Sequence, residues 1–167
     1  STLGKKIFAA GSGLVLVTFI IGHLGGNLML FHPDPMVYNE YSHHLIRLGW
    51  MLIAVELVLL AFYALHVMTG IWVTLTNRAA RPVRYEVTGN AGSPSMKTFS
   101  SRTMIWSGLV IFAFIVTHLV NFKYGDIPMI EVGGVRMHDF HSMVAAFFQD
   151  PLNVLFYLVA MSFIFFH

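Results

Sequence analysis

Apolar residues in this chain come in long unbroken runs rather than in alternation, and the runs are separated by short stretches where Pro, Gly, Asp and Arg collect. The first run covers about 7–31 and is closed by the breaker string His32-Pro33-Asp34-Pro35. The second covers about 45–76, the third 103–123, and the fourth opens at Asp150-Pro151 and is still apolar at Phe166. The first three exceed the ~20 residues a helix needs to cross hydrocarbon. The pattern predicts an all-α integral membrane protein: one domain over 1–167, a transmembrane helical bundle with spans at about 7–31, 45–76, 103–123 and 151–167. The last run reaches His167 with no cap, Gly or flanking charge, so the fourth helix is expected to continue past the end of this chain.

Composition agrees and removes alternatives. Of 167 residues, 56% are hydrophobic and 11% charged, and the mean hydropathy is +0.70. A water-soluble domain this small has too high a surface-to-volume ratio to hide so much apolar surface. The runs recur along the whole chain, so a signal peptide does not account for them. Cysteine is absent, which excludes disulfides, thiolate metal sites and thioether haem attachment within the chain.

The net charge of +2 forms no amphipathic basic stripe, so nucleic acid is not an expected partner. The basic residues mark topology instead. Lys5 and Lys6 precede the first run, and the loop 77–102 carries Arg78, Arg81, Arg84, Lys97 and Arg102 against a single acid, Glu86. The remaining loops hold Arg47, Lys123 and Arg136 among Asp34, Glu40, Asp126, Glu131, Asp139 and Asp150. This asymmetry predicts a multi-pass protein of the cell's inner (cytoplasmic) membrane with a cytoplasmic N-terminus. Residues 138–149 of the outer loop are suited to a short interfacial helix. No internal repeat or low-complexity tract is expected.

Candidate chemistry sits on four histidines, one per run. At ~1.5 Å rise per residue, His23 lies ~24 Å along an outward-running helix and His66 roughly 15 Å above the cytoplasmic end of the second. His118 falls at the depth of His23, and His167 at the depth of His66. Two pairs at two depths is what two stacked bis-histidine haems would need, a six-coordinate arrangement suited to one-electron transfer. The competing reading makes each histidine a polar residue bonding across the bundle. His32, His43, His44, His138 and His141 fall in outer loops or at an interface and are read as solvated.

Several residues extend this picture, each with two readings. Gly22, Gly25 and Gly26 flank His23, and Gly70 lies one turn from His66; positions without Cβ admit either a macrocycle edge or a neighbouring helix. Glu56 is the only acid deep in a run and is expected to be protonated or paired, as a proton-transfer or quinone-contacting group or as a neutral acid bonded to a neighbour. Tyr63 shares its helix face. Arg47 and Lys123 near the outer layer, and Arg78 and Arg102 near the inner one, are candidate propionate partners or ordinary snorkelling cations.

With these residues in view, the whole chain resembles a known family: the single-chain, two-haem cytochrome b membrane anchor of succinate:quinone and fumarate reductases. The resemblance rests on GHLGGNL around His23, ALHVMTG around His66, the loop NRAARPVRYEV followed by SRTMIWSG, THLVNFK around His118, and DPLNVLFYLVAMSFIFFH ending on His167. It implies a five-helix anchor whose fifth helix lies beyond this chain. It implies two b haems, His23 with His118 for the outer and His66 with His167 for the inner, and electron transfer with a membrane quinone, menaquinone. It also implies an iron-sulphur subunit and a covalent-FAD flavoprotein docked on the cytoplasmic face, and succinate:quinone oxidoreductase activity as a non-catalytic-head subunit, with a higher oligomer of the complex conceivable. Glu40 sits roughly where some relatives place an acid important for quinol oxidation.

Two other readings compete. Anchors of the formate dehydrogenase, hydrogenase, nitrate reductase or bc-complex kinds place two ligands on one helix, and no run here carries two intramembrane histidines so spaced. A transporter or channel without haem would use the histidines and Glu56 to relay protons. It would be expected to break its helices and line them with a polar stripe, which the first, third and fourth runs lack.

Overall fold

A computed structural model describes residues 2–80 and 99–167. Arg81, Arg84, Glu86 and Lys97, on which much of the charge asymmetry rests, lie outside the described residues. In chain order the elements are α1 (Thr2–Asn27) running into a 3-10 turn (Leu28–Phe31), α2 (Met36–Arg47), α3 (Trp50–Ala79), α4 (Phe99–Phe122), β1 (Met129–Val132), β2 (Val135–His138), α5 (Phe140–Phe147) and α6 (Pro151–Phe166).

Among the described residues, three helical stretches are long and apolar enough to cross a membrane: Gly4–Phe31, Trp50–Ala79 and Arg102–Phe122. A fourth joins them if α5 and α6, bent by 94° where they meet, are taken together. The result is an all-α, multi-span membrane protein carrying one small hairpin. Its surface fits hydrocarbon rather than water: Phe31, Trp50, Leu152 and Phe165 are each more than 70% exposed, while the buried apolar residues among those described are Tyr38, Phe114, Met137 and Ala160.

The helices pack as two pairs, α1 against α3 and α4 against α6, with lighter contact between α3 and α4. At one end of the first pair the Lys5 ammonium lies 3.5 Å from the centre of the Trp72 ring, a cation–π contact of the kind found where helices leave the membrane.

Contrary to expectation, the chain does repeat. Residues 12–24 and 107–119, on α1 and α4, share Ser, Gly, Leu, Val, Phe, Ile, His and Leu at identical spacings. In both copies the phenylalanine packs on the histidine one turn later, Phe19 on His23 at 5.5 Å and Phe114 on His118 at 5.6 Å between ring centres. Apolar residues common to every span mask this repeat unless the two strings are aligned on their serines.

The second run is shorter than its hydropathy suggests. α2 ends at Arg47 and α3 begins at Trp50, and Gly49 between them has φ +55° and ψ −118°. That region is open essentially to glycine alone, so the backbone turns there even though Leu45 to Met51, apart from Arg47, reads as an apolar approach. The hairpin was also unforeseen. Gly133 and Gly134 have φ of +59° and +79°, and Val132 pairs with Val135 across them. A two-residue loop with both φ positive is the turn whose twist matches antiparallel strands, and Gly-Gly is its sequence signal. Within 138–149, where a short helix was expected, α5 forms.

α2, the hairpin and α5 form a cap at one end of the spans. Its centre is Asn39, fully buried, whose amide donates to Asp139 Oδ1 at 2.8 Å and whose Oδ1 accepts from the His141 backbone N–H at 2.9 Å. Asp139 also caps α5 by accepting from the Ser142 N–H at 3.1 Å. Burial alone would raise the Asp139 carboxyl, but bonds from the Ser142 side chain and backbone and from Asn39, with the charge of His141, outweigh it and hold the carboxyl below its ordinary range. A carboxyl lowered on folding stabilises the fold fully above its unfolded value, and that contribution is lost as pH falls through the folded value. The cap is therefore expected to loosen in acid below the usual carboxylate range. Protection of the His141 and Ser142 amides against hydrogen exchange, relative to the intrinsic rate at each pH, should fall there, and Asn39→Ala, which removes one of the bonds to Asp139 and strands the His141 N–H, should lower the same protection at neutral pH at a cost of about 1–3 kcal/mol.

Candidate functional site

The four histidines meet in twos. His23 of α1 and His118 of α4 face each other edge-on with ring centres 5.8 Å apart. His66 of α3 and His167, which follows α6, do the same at 6.2 Å. Each pair therefore ties one helix of the first packed pair to one of the second. His66 touches α1 beside Ser12 and His118 touches it through His23, eleven residues on, so the two pairs sit ~16 Å apart along the bundle.

Neighbouring hydroxyls and carbonyls address the rings. His66 Nδ1 lies 3.1 Å from the Ala9 carbonyl oxygen and 3.4 Å from Ser12 Oγ. His167 Nδ1 lies 2.7 Å from Ser107 Oγ, and His118 Nδ1 lies 3.3 Å from the Tyr157 hydroxyl. His118 is further enclosed by Phe114 and Phe122, while His23 has the Phe19 ring beside it.

The expectation of two b haems, and with it haem, iron and metal binding and the cytochrome label, is corrected here. Among the described residues no group of three or more His, Cys, Asp or Glu side chains converges where it could hold a metal ion. The reason lies in the packing: each histidine pair forms where one side chain from each of two helices meets. The one acid inside the spans, Glu56, turns to Lys123 instead. With the haem withdrawn, the propionate role considered for Arg47, Arg78, Arg102 and Lys123 has no object. Arg47, Arg78 and Arg102 are exposed at helix ends, and Lys123 forms a salt bridge with Glu56.

The remaining candidates fall in different places. Gly22 and Gly70 face open space, whereas Gly26 is closed by Tyr41, whose hydroxyl a Cβ there would meet at 2.7 Å. Tyr63 stacks on Phe112 of α4 with ring centres 6.4 Å apart. Glu40 is exposed on α2. Near the C-terminal end of α1 is an apolar recess of about 430 Å³ lined by residues that include Gly25, Met29, His32 and Val37.

Sequence reasoning passed over Ser12, Ser107 and Tyr157. All three touch a histidine on another helix, and the two serines are 2% and 4% exposed. The signal was present for the serines, since both stand in a Ser-Gly-Leu-Val string eleven residues before a histidine. Nothing comparable marks Tyr157.

Comparison with known proteins returns no match: no family model fits the chain, and no curated protein and no solved structure is similar to it. The family resemblance described above gains no support from them.

The Glu56–Lys123 bridge joins α3 to the end of α4 and supplies a test of how the two helix pairs are held. Both side chains are more than one-third accessible, at 40% and 37%, so screening reduces what the pair contributes. Glu56→Gln and Lys123→Met should each lower thermal stability in lipid. The double variant should lose less than the two together, with a coupling of roughly 1 kcal/mol.

Proposed function

We propose that this integral-membrane bundle conducts protons without haem, through its two facing histidine pairs. The observation that carries this reading is the arrangement itself: four imidazoles, one from each of four helices, meeting pairwise at two levels with hydroxyl groups against three of them. Imidazole takes up and releases a proton near neutral pH and offers two nitrogens for the transfer. Ionisable groups placed within spans are costly and belong to transport pathways or relays more often than to scaffolding. The ~16 Å between the pairs exceeds a single hydrogen bond, so water must bridge them.

Proteoliposomes loaded with a pH-sensitive dye and clamped with potassium and valinomycin test the proposal. Protein-dependent proton flux is expected, and His66→Phe or His118→Phe should each lower it by roughly 10²-fold, the usual worth of a positioned acid–base group. Flux equal to that of empty vesicles would overturn the reading. So would two haem b per chain by pyridine haemochromogen assay, which would return the histidines to electron transfer.

A second reading is favoured by the strings around the histidines, GHLGGNL, ALHVMTG and THLVNFK. It makes the chain a membrane anchor of the succinate:quinone oxidoreductase kind in the inner membrane, its N-terminus cytoplasmic. An iron-sulphur subunit and a flavoprotein would dock on the cytoplasmic face, and a membrane quinone would exchange protons near Glu56, Tyr63 or Glu40. On this reading a tagged chain solubilised gently from its native membrane should retain a protein with covalently bound flavin, and succinate should reduce quinone in the purified fraction. Recovery of the chain with no flavin would remove it.

A further inference from the structure

The two buried serines do the same thing in both halves of the molecule. Ser12 Oγ donates to the carbonyl of Phe8 at 2.7 Å, with that of Ala9 at 3.1 Å. Ser107 Oγ donates to the carbonyls of Thr103 at 3.2 Å and Met104 at 3.1 Å. A hydroxyl has one hydrogen, and in each serine two carbonyls of its own helix stand ready to take it. An Oγ whose hydrogen is on those carbonyls accepts from the ring nitrogen, and Ser107 Oγ is nearest of all to His167 Nδ1, at 2.7 Å. The residue after each serine is a glycine that leaves room for the ring: a Cβ on Gly13 would come within 3.2 Å of His66 Cε1, and one on Gly108 within 3.4 Å of His167 Cε1.

We infer that Ser107 is a positioning residue that holds His167 as the Nδ1–H tautomer, and that the Ala9 carbonyl, with Ser12 beside it, holds His66 in the same form, leaving Nε2 of each ring as its lone-pair atom. For His66 the Ala9 carbonyl at 3.1 Å makes the same demand, because a carbonyl oxygen cannot donate. For His167 the demand comes from Ser107 at 2.7 Å. No hydrogen bond to Nε2 of either ring occurs among the described residues. With the rings 6.2 Å apart, this pair offers two unprotonated nitrogens as the place where an added proton binds. The use made of that place rests on the proton-conduction reading, whereas the tautomers do not.

The two rings differ in a way that makes the inference testable. His66 has a second acceptor in the Ala9 carbonyl, while Ser107 alone holds His167 Nδ1. The full chain, labelled with ¹⁵N-histidine and reconstituted in lipid, can be examined by NMR at a pH where the rings are neutral. Resonances are assigned by comparison with His66→Gln and His167→Gln.

Both rings should show the Nδ1–H pattern. Ser107→Ala should turn His167 into a mixture of tautomers and leave His66 unchanged, and Ser107→Thr, which keeps the hydroxyl, should restore the single pattern. Ser12→Ala should leave His66 as Nδ1–H. An Nε2–H pattern at either ring in the unaltered protein would overturn the inference without the need for a variant. So would a His167 pattern that ignores Ser107→Ala while the resonances of His23 and His118 report an intact bundle. Correct tautomers in a protein that passes no protons would keep this inference and remove the conduction reading.

Discussion

Hydrocarbon offers no hydrogen bonds, so every polar group carried into it must find its partner within the chain. Backbone groups meet that demand by forming helix. The short hydroxyls meet it without leaving their own helix: Ser12, Thr18, Thr69, Thr74, Ser107, Thr117 and Ser162 each donate to a carbonyl one turn back. An imidazole or a carboxylate cannot reach its own backbone in this way. His23, His66, His118, His167 and Glu56 therefore look to other helices, and the contacts they make are among those that join α1–α3 to α4–α6, beside the stacking of Tyr63 on Phe112. Interhelical polar contacts add specificity to packing that dispersion alone would leave degenerate, since lipid tails are as apolar as leucine.

The same constraint explains what could be read from the sequence. Long apolar runs can only be spans, and a lone histidine in each of four spans must meet something, so the membrane class and the partnering of His23 with His118 and His66 with His167 were legible from run length and depth. The identity of what the pairs do was not legible, because a pair of imidazoles at a given depth is compatible with several chemistries. Hydropathy also failed wherever backbone geometry decides. Leu45 to Met51 reads as the entrance to a helix until Gly49 is recognised as a turn, and Gly133-Gly134 lies in a loop whose composition gives little hint of strands beyond that dipeptide. Asn39 was beyond reach for a different reason: its two partners, Asp139 and His141, lie a hundred residues away, and nothing in α2 announces them.

The repeat joins fold to site. A helix that carries Ser-Gly and, about two and three turns later, Phe and His performs two tasks at once: its own histidine reaches across to the other copy, and its serine and glycine seat the histidine of the helix packed beside it. Used twice, this one pattern yields both levels of the site, one from the histidines of α1 and α4 and the other from those seated by Ser12 and Ser107. The connections between the paired helices are free of that duty and differ, one holding α2 and the other the hairpin and α5. They meet in the cap, where Asn39 and Asp139 replace apolar packing with a small polar centre.

The two levels are nonetheless unequal, and the inequality bears on conduction. An imidazole that relays a proton in one direction takes it on one nitrogen, releases it from the other, and must then reset by turning its ring or by returning the proton. His66 and His167, with Nδ1 committed to Ala9, Ser12 and Ser107, cannot turn without breaking those bonds, so a proton arriving at Nε2 leaves from the same atom. His23 carries no such bond among the described residues, and His118 has only the tyrosine hydroxyl of Tyr157, 3.3 Å away, which can donate as well as accept. On the conduction reading the pair of His66 and His167 holds a proton in place, and the pair of His23 and His118 is the level at which rings can turn over. A relay built this way is limited at its rigid end, since the step that must exchange a proton with water at a single nitrogen is the one that the serines hold fixed.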